Sequence, residues 1–177
     1  MLNCSKTARI TYMAVLVGLS VALKMLQYLP IMQFFFLFVA FPIILAGFML
    51  GPRAGFWVGA ISDILGYALF PGGPYFPPLT ITQGLTGCLP ALIVRWLWKD
   101  KPLSFSRLLV AIAISQLLTK GLMVPLCLHV LYRPTPHWFY SCCLYAAASL
   151  PAQAFHVPLY AWLINYILQT TKQAKTI

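Results

Sequence analysis

Residues 51–80 read GPRAGFWVGA ISDILGYALF PGGPYFPPLT, and this stretch decides how the rest of the chain is interpreted. It opens with a glycine-proline turn and continues as an apolar helix that carries Asp63, one of two acidic residues in the protein. It ends in a stiff turn, residues 71–78, with four prolines and two aromatic residues. A carboxylate in an apolar helix that leads into a rigid aromatic loop indicates an element that holds a ligand at one face of a membrane.

The composition places the whole chain in a membrane. It has 177 residues, of which 61% are hydrophobic and 8% charged. A soluble fold of this length has too little interior to bury so much apolar surface. We therefore expect residues 1–177 to form a single integral-membrane domain. The net charge of +10 lies in short clusters between apolar runs, which indicates anchoring to an anionic lipid bilayer and excludes nucleic acid as a partner.

The apolar runs predict an all-α protein with six transmembrane helices, because each is close to the ~20 residues that a span requires. The helices cover residues 9–29, 33–50, 53–70, 79–98, 107–131 and 142–168. The first run is too long for a signal peptide and lacks a cleavage site, so it is expected to remain as a helix.

The basic residues predict the orientation. One side of the membrane receives Lys6, Arg9, Arg53, Arg95, Lys99, Lys101, Arg107, Lys172 and Lys175, and the other side receives Arg133. Because positive residues accumulate in the cytoplasm, both termini are predicted to be cytoplasmic.

Three ionisable residues lie within predicted spans, where each is costly and therefore a functional candidate. Lys24 could extend to the interface or contribute to a site. Asp63 and Lys120 could form a structural ion pair between helices or line a polar cavity that opens outward. Polar and aromatic side chains of the same region extend the candidate ligand site: Gln27, Tyr67, Tyr75, Phe76, Thr80, Gln83 and Gln153. Such amides, hydroxyls and rings suit hydrogen-bond recognition of a heterocycle.

Two stripes of small residues allow close approach of helices. Ala14 and Gly18 form one in the first helix, and Gly55 and Gly59 form the other in the third. Each stripe could serve packing within the bundle or docking on a separate membrane protein.

The sequence contains no arrangement typical of catalysis or cofactor binding. With two acidic residues, general acid–base chemistry has little to use. The three histidines lack the spacing of a metal site, and the five cysteines form no CxxC pair. The chain is therefore predicted not to be an enzyme and to hold no metal or cofactor.

Residues 42–82 carry a family resemblance, which is most specific in the pattern DxLGYxLFPxGPYFP from Asp63 to Pro77. The chain resembles the substrate-binding (S) components of energy-coupling factor (ECF) vitamin transporters, most closely the folate family. The resemblance implies a high-affinity vitamin binder in a prokaryotic plasma membrane. It also implies association with a transmembrane coupling protein and two cytoplasmic ATPases, with Ala14 and Gly18 in the docking motif.

This resemblance gives each site residue a hypothetical role. Asp63 would accept hydrogen bonds from an amino-heterocycle, and Lys24 and Lys120 would meet anionic groups. Tyr67, Tyr75 and Phe76 would stack on the ligand. Thr80, Gln83 and Gln153 would add hydrogen bonds.

The last third departs from the folate pattern at Leu118–Gly121 and at Pro151–His156. Three alternatives to a folate-binding S component therefore stay open. The first is an S component for another vitamin or precursor, such as a pyrimidine, pantothenate or a corrin. The second is a small intramembrane enzyme that uses His156 or Asp63. The third is a stand-alone transporter.

Overall fold

The structure is a computed structural model that describes the backbone of residues 5–26, 38–71, 75–99, 104–132 and 138–173. Side chains are described for residues 5–26, 38–71, 75–99, 104–130 and 153–170. Within the described backbone the chain is helical apart from short connections and contains no strand. The predicted all-α fold of six helices is confirmed.

The helices are numbered here in chain order. They are α1 (Lys6–Leu26), α2 (Ala40–Leu50), α3 (Pro52–Leu69), α4 (Pro77–Leu97), α5 (residues 105–132) and α6 (Trp138–Gln173). The first begins three residues before its predicted start at residue 9, and α6 extends past the predicted range 142–168 at both ends. Residues 27–37, which include parts of two predicted helices, lie outside the described residues.

Helix α2 is the centre of the bundle. Six consecutive residues, Pro42 to Gly47, are buried, as expected for a helix that is apolar around its whole circumference. On one side Ile43 and Ala46 pack against Val17 of α1 and Val58 of α3. On the other side Ile44 and Leu45 join a cluster that also contains Leu108, Ile112, Val157, Tyr160, Ala161 and Ile164 of α5 and α6. The short helix therefore links the two halves of the bundle.

Glycines let the backbones of α2, α3 and α4 come together. A Cβ atom at Gly55 would lie 2.7 Å from the Cα of Gly47 and 2.9 Å from the carbonyl carbon of Gly87. These neighbours are backbone atoms, which cannot rotate away as a side chain can. Gly55 and Gly59 are both buried, so this small-residue stripe serves packing within the bundle, one of the two interpretations that the sequence allowed.

The connection between α2 and α3 is a sharp turn at Gly51, whose φ of 103° suits glycine. The guanidinium of Arg9 donates a hydrogen bond of 2.8 Å to the carbonyl oxygen of Leu50. The start of α1 is thereby fixed to the end of α2, at the side of the bundle that the basic residues predict to be cytoplasmic.

Many large apolar side chains point outward, in a pattern suited to lipid. Trp96, Val130 and Ile10 are 86%, 69% and 67% exposed. Soluble proteins rarely expose apolar surface on this scale. Among the described residues, Lys6–Leu26 and Phe105–Val130 are long and apolar enough to cross a membrane, and Ala40–Leu50 is a shorter apolar helix.

The glycine contact between α2, α3 and α4 predicts a strong response to one methyl group. Gly55→Ala should force backbones apart and destabilise the protein by about 1–3 kcal/mol, the usual cost of overpacking. Gly18→Ala is the matched control, because a Cβ there would have nothing within 4 Å. Thermal unfolding in detergent should show a lower melting temperature for Gly55→Ala alone. Equal melting of both variants and the parent would contradict this packing.

Candidate functional site

The carboxylate of Asp63 on α3 is held by side chains from two other helices. Its Oδ1 forms an ion pair with the Nζ of Lys24 on α1 at 3.1 Å. Its Oδ2 accepts a hydrogen bond of 2.8 Å from the hydroxyl of Thr80 on α4. The side chains of Lys24 and Asp63 are 20% and 15% exposed, so the charges are largely removed from solvent. Three helices therefore converge on one acid.

Gly66, three residues after Asp63, makes room for this ion pair. A Cβ at Gly66 would lie 2.6 Å from the Cδ and 3.0 Å from the Nζ of Lys24. The lysine stem therefore lies directly on the surface of α3. The glycine of the Asp-Ile-Leu-Gly sequence thus has a specific packing role next to the acid.

Hydrogen bonds extend from Asp63 toward the aromatic turn. The phenol oxygen of Tyr75 lies 3.0 Å from the hydroxyl oxygen of Thr80. Because Thr80 gives its single proton to Asp63, the phenol of Tyr75 must donate to Thr80. The ring of Tyr75 lies 5.1 Å from that of Tyr67, at an angle of 49°. The turn and the end of α3 are therefore joined to the carboxylate by one polar and one aromatic contact.

A small cavity of about 10 Å³, room for roughly one water molecule, adjoins the ion pair. It is lined by Ser20, Lys24, Val39, Ile43, Gly59, Ser62, Asp63 and Gln83. Ordinary ligand pockets occupy roughly 300–1,000 Å³. Five of the eight lining residues are polar, and the cavity is too small for a vitamin without movement of its walls.

Lys120 belongs to an irregular part of α5. This helix consists of Phe105–Gln116 and Val124–Tyr132, with a π-helix, Leu117–Met123, between them. Pro125 lies two residues after the end of the π-helix, and a proline ring clashes with the carbonyl four residues earlier in a regular helix. The wider π turn relieves this conflict, and such turns are frequent at functional sites.

The charge of Lys120 acts on the same site from the opposite half of the bundle. Lys120 interacts electrostatically with Asp63 and Lys24, and His156 of α6 interacts with Lys120. The His156 ring stacks on Tyr160 at 5.9 Å, and its buried Nε2 has no hydrogen-bond partner among the described residues. Asp63 therefore has Lys24 as its ion-pair partner at 3.1 Å and Lys120 within longer electrostatic range.

The structure brings most of the sequence-predicted residues together. Lys24, Asp63, Tyr67, Tyr75, Thr80 and Gln83 form one contiguous group. Phe76 lies next to Tyr75 at the start of α4, and Gln153 is buried on α6. Gln27 lies outside the described residues. The ion-pair partner of Asp63 is Lys24, whereas an ion pair with Lys120 was one of the two interpretations that the sequence allowed.

Two polar residues of the cavity, Ser20 and Ser62, were not predicted from the sequence. Ser20 lies one helical turn before Lys24, and Ser62 directly precedes Asp63. Their position beside ionisable residues in apolar helices is a signal that could have identified them.

Residues 8–171 match the family described as ECF transporter, substrate-specific component. The chain belongs to this family. Its resemblance to S components is confirmed, and it is accordingly a polytopic membrane protein and a transporter component. Over 102 residues it is 35% identical to the protein named Folate transporter FolT from Clostridium novyi (strain NT). That alignment covers 58% of this chain and 56% of the relative, so the chain spans little more than half of the relative's length. No solved structure matches the chain significantly.

The ion pair between Lys24 and Asp63 predicts that removal of one of the two charges destabilises the protein more than removal of both. Lys24→Met and Asp63→Asn each leave a partly buried charge without its partner. We expect each single variant to lose about 1–3 kcal/mol, somewhat less than for a fully buried pair. The double variant should melt nearer to the parent. A double variant whose loss equals the sum of the two single losses would show that the pair is not coupled.

Proposed function

We propose that this chain is the vitamin-binding S component of an ECF-type importer, and that its vitamin is folate or a related pterin-like compound. The observation that carries the proposal is the carboxylate of Asp63, largely removed from solvent beside a small cavity in a member of this family. The name of the 35% identical relative, a folate transporter, supports the same ligand class.

A carboxylate suits the amino-heterocycle of a pterin. Its two oxygens can accept two parallel hydrogen bonds from an amidine-like N–H pair, and such charge-assisted bonds are strong. In the structure Lys24 donates to Oδ1, so it occupies the position that a ligand donor would take. Binding would exchange the ammonium of Lys24 for the N–H groups of the ring.

The charge balance suits an acidic ligand. Once the ring binds Asp63, Lys24 is released from its ion pair and Lys120 has no carboxylate within salt-bridge distance among the described residues. Both cations can then attract the carboxylates of a glutamate tail. Lys120 would thereby supply, from α5, a charge that the folate family provides from its sixth helix.

The aromatic turn would form the outer wall of the site. Tyr67 and Tyr75 already lie ring to ring, and with Phe76 they would stack on a flat heterocycle. The small cavity beside Asp63 would have to widen to admit the ring. Thr80, Gln83 and Gln153 would donate or accept hydrogen bonds, and Gln27 would complete the rim.

The proposal assigns the chain to a larger assembly. One integral-membrane domain, 1–177, would span a prokaryotic plasma membrane with both termini in the cytoplasm. It would associate with the transmembrane coupling protein and two cytoplasmic ATPases, and it would bind its vitamin without converting it. Ala14 and Gly18 are exposed on α1, and a Cβ at Gly18 would contact nothing. This stripe is therefore accessible to a partner helix, unlike the stripe of Gly55 and Gly59.

One second candidate is an S component for a smaller heterocycle such as a pyrimidine, which would require less movement of the cavity walls beside Asp63 than folate. Asp63 would accept hydrogen bonds from such a ring in the same way. Titration of the purified protein with folate and with a pyrimidine precursor separates the two candidates, since only the true ligand should bind tightly.

Docking through Ala14 and Gly18 predicts a separation of binding from transport. Gly18→Leu should bind folate as the parent does, because the residue faces away from the cavity. Folate uptake by cells that also contain the coupling protein and ATPases should fall to the level of cells without this chain, because the larger side chain keeps the helices apart. Leu92→Phe, on the lipid-facing surface of α4, is the control and should leave uptake unchanged. Normal uptake by Gly18→Leu would contradict docking at this stripe.

A further inference from the structure

Two buried polar atoms border the cavity without a partner. Among the described residues, neither the hydroxyl oxygen of Ser62 nor the side-chain Oε1 of Gln83 has a hydrogen-bond partner. Both side chains line the same cavity as Lys24 and Asp63. A buried polar atom without a partner costs about 1–3 kcal/mol, so two of them facing one cavity call for an explanation.

The other buried hydroxyls described in this bundle avoid this energetic cost, because each has a hydrogen-bond partner. Ser and Thr in a helix readily donate to the carbonyl four residues earlier. Four buried hydroxyls donate in this way to a carbonyl oxygen: Thr82 to Pro78, Thr86 to Thr82, Ser115 to Ala111 and Thr119 to Ser115. Ser20 and Thr80 find partners in other elements. Of the seven buried Ser and Thr side chains in the described part of the chain, Ser62 alone has none.

The packing of α3 on α4 keeps the two groups in place. A Cβ at Gly59 would lie 2.8 Å from the carbonyl carbon of Gln83 and 3.0 Å from the Cα of Gly84. Ser62 follows Gly59 by three residues, so it lies on the same face of α3. It is only 3% exposed. The tight backbone contact therefore fixes Ser62 and Gln83 near each other and leaves little freedom for either to find another partner in the protein.

We propose that Ser62 and Gln83 form a recognition subsite for the polar edge of the heterocycle whose N–H groups bind Asp63. The hydroxyl of Ser62 can both donate and accept, and the amide of Gln83 can do the same through its two ends. Together they bind ring nitrogen or oxygen atoms adjacent to those held by Asp63. The proposal rests on the proposed function, which supplies the ring, and it adds Ser62 as a specificity-determining residue.

A binding subsite and a structural hydroxyl respond differently to removal. Ser62→Ala should weaken folate binding by about 5- to 100-fold, the range expected when a buried polar group of the ligand loses its partner. The melting temperature of the ligand-free protein should stay the same or rise, because an unpartnered hydroxyl has been removed. Gln83→Leu should also weaken binding.

Ser115→Ala is the matched control, because Ser115 is equally buried but donates within its own helix. Its folate affinity should equal that of the parent. Both properties are measured on the purified full-length protein, by equilibrium binding of folate and by thermal unfolding without ligand.

The outcomes separate this inference from the proposed function. Weaker binding by Ser62→Ala, without a loss of stability in the ligand-free protein, supports the subsite. Parent-like folate affinity of Ser62→Ala overturns it and leaves the proposed function intact, as does a lower melting temperature with unchanged binding. A parent protein that fails to bind folate overturns both.

Discussion

The carboxylate of Asp63 is the constraint on which the arrangement of the bundle's polar half depends. A single acid within apolar helices requires compensation, and the structure provides it from three directions: Lys24 on α1, Thr80 on α4 and, through Thr80, Tyr75 in the turn. Gly66 allows the lysine to approach. The glycines between α2, α3 and α4 bring the backbones close enough for these side chains to meet.

The same compensation explains how a closed site can become a binding site. Under the proposed function, Lys24 would be a substitute for a ligand donor, since a lysine side chain can leave the carboxylate without disturbing the helices that carry it. Ser62 and Gln83 have no such substitute. The carboxylate of Asp63 therefore has hydrogen-bond partners, whereas the hydroxyl of Ser62 and the Oε1 of Gln83 have none among the described residues. This arrangement favours a ligand that offers both an N–H pair and further polar ring atoms.

Much of this could be predicted from the sequence. Hydropathy gave six helices, and the cost of burying charge identified Lys24, Asp63 and Lys120 as candidates. The ion-pair partner of Asp63 could not be predicted, because the sequence contains two lysines within apolar helices. Only the path of α1 over Gly66 shows that the partner is Lys24. Nor could the sequence separate Gly55 from Gly18, since small-residue stripes look alike until burial is known. The π-helix around Lys120 and the role of Ser62 depend on side-chain surroundings that no local pattern encodes.

The central claim, that the carboxylate of Asp63 anchors the ring of a folate-like vitamin, is tested most directly by equilibrium binding. The comparison is between Lys24→Met and the double variant Lys24→Met/Asp63→Asn, both purified in detergent without coupling subunits. Because only the second lacks the carboxylate, their difference isolates Asp63. Hydrogen bonds to a charged group contribute about 1.5–3 kcal/mol, so we expect folate affinity to fall by about 10- to 150-fold in the double variant. Equal affinity of the two variants would contradict the claim.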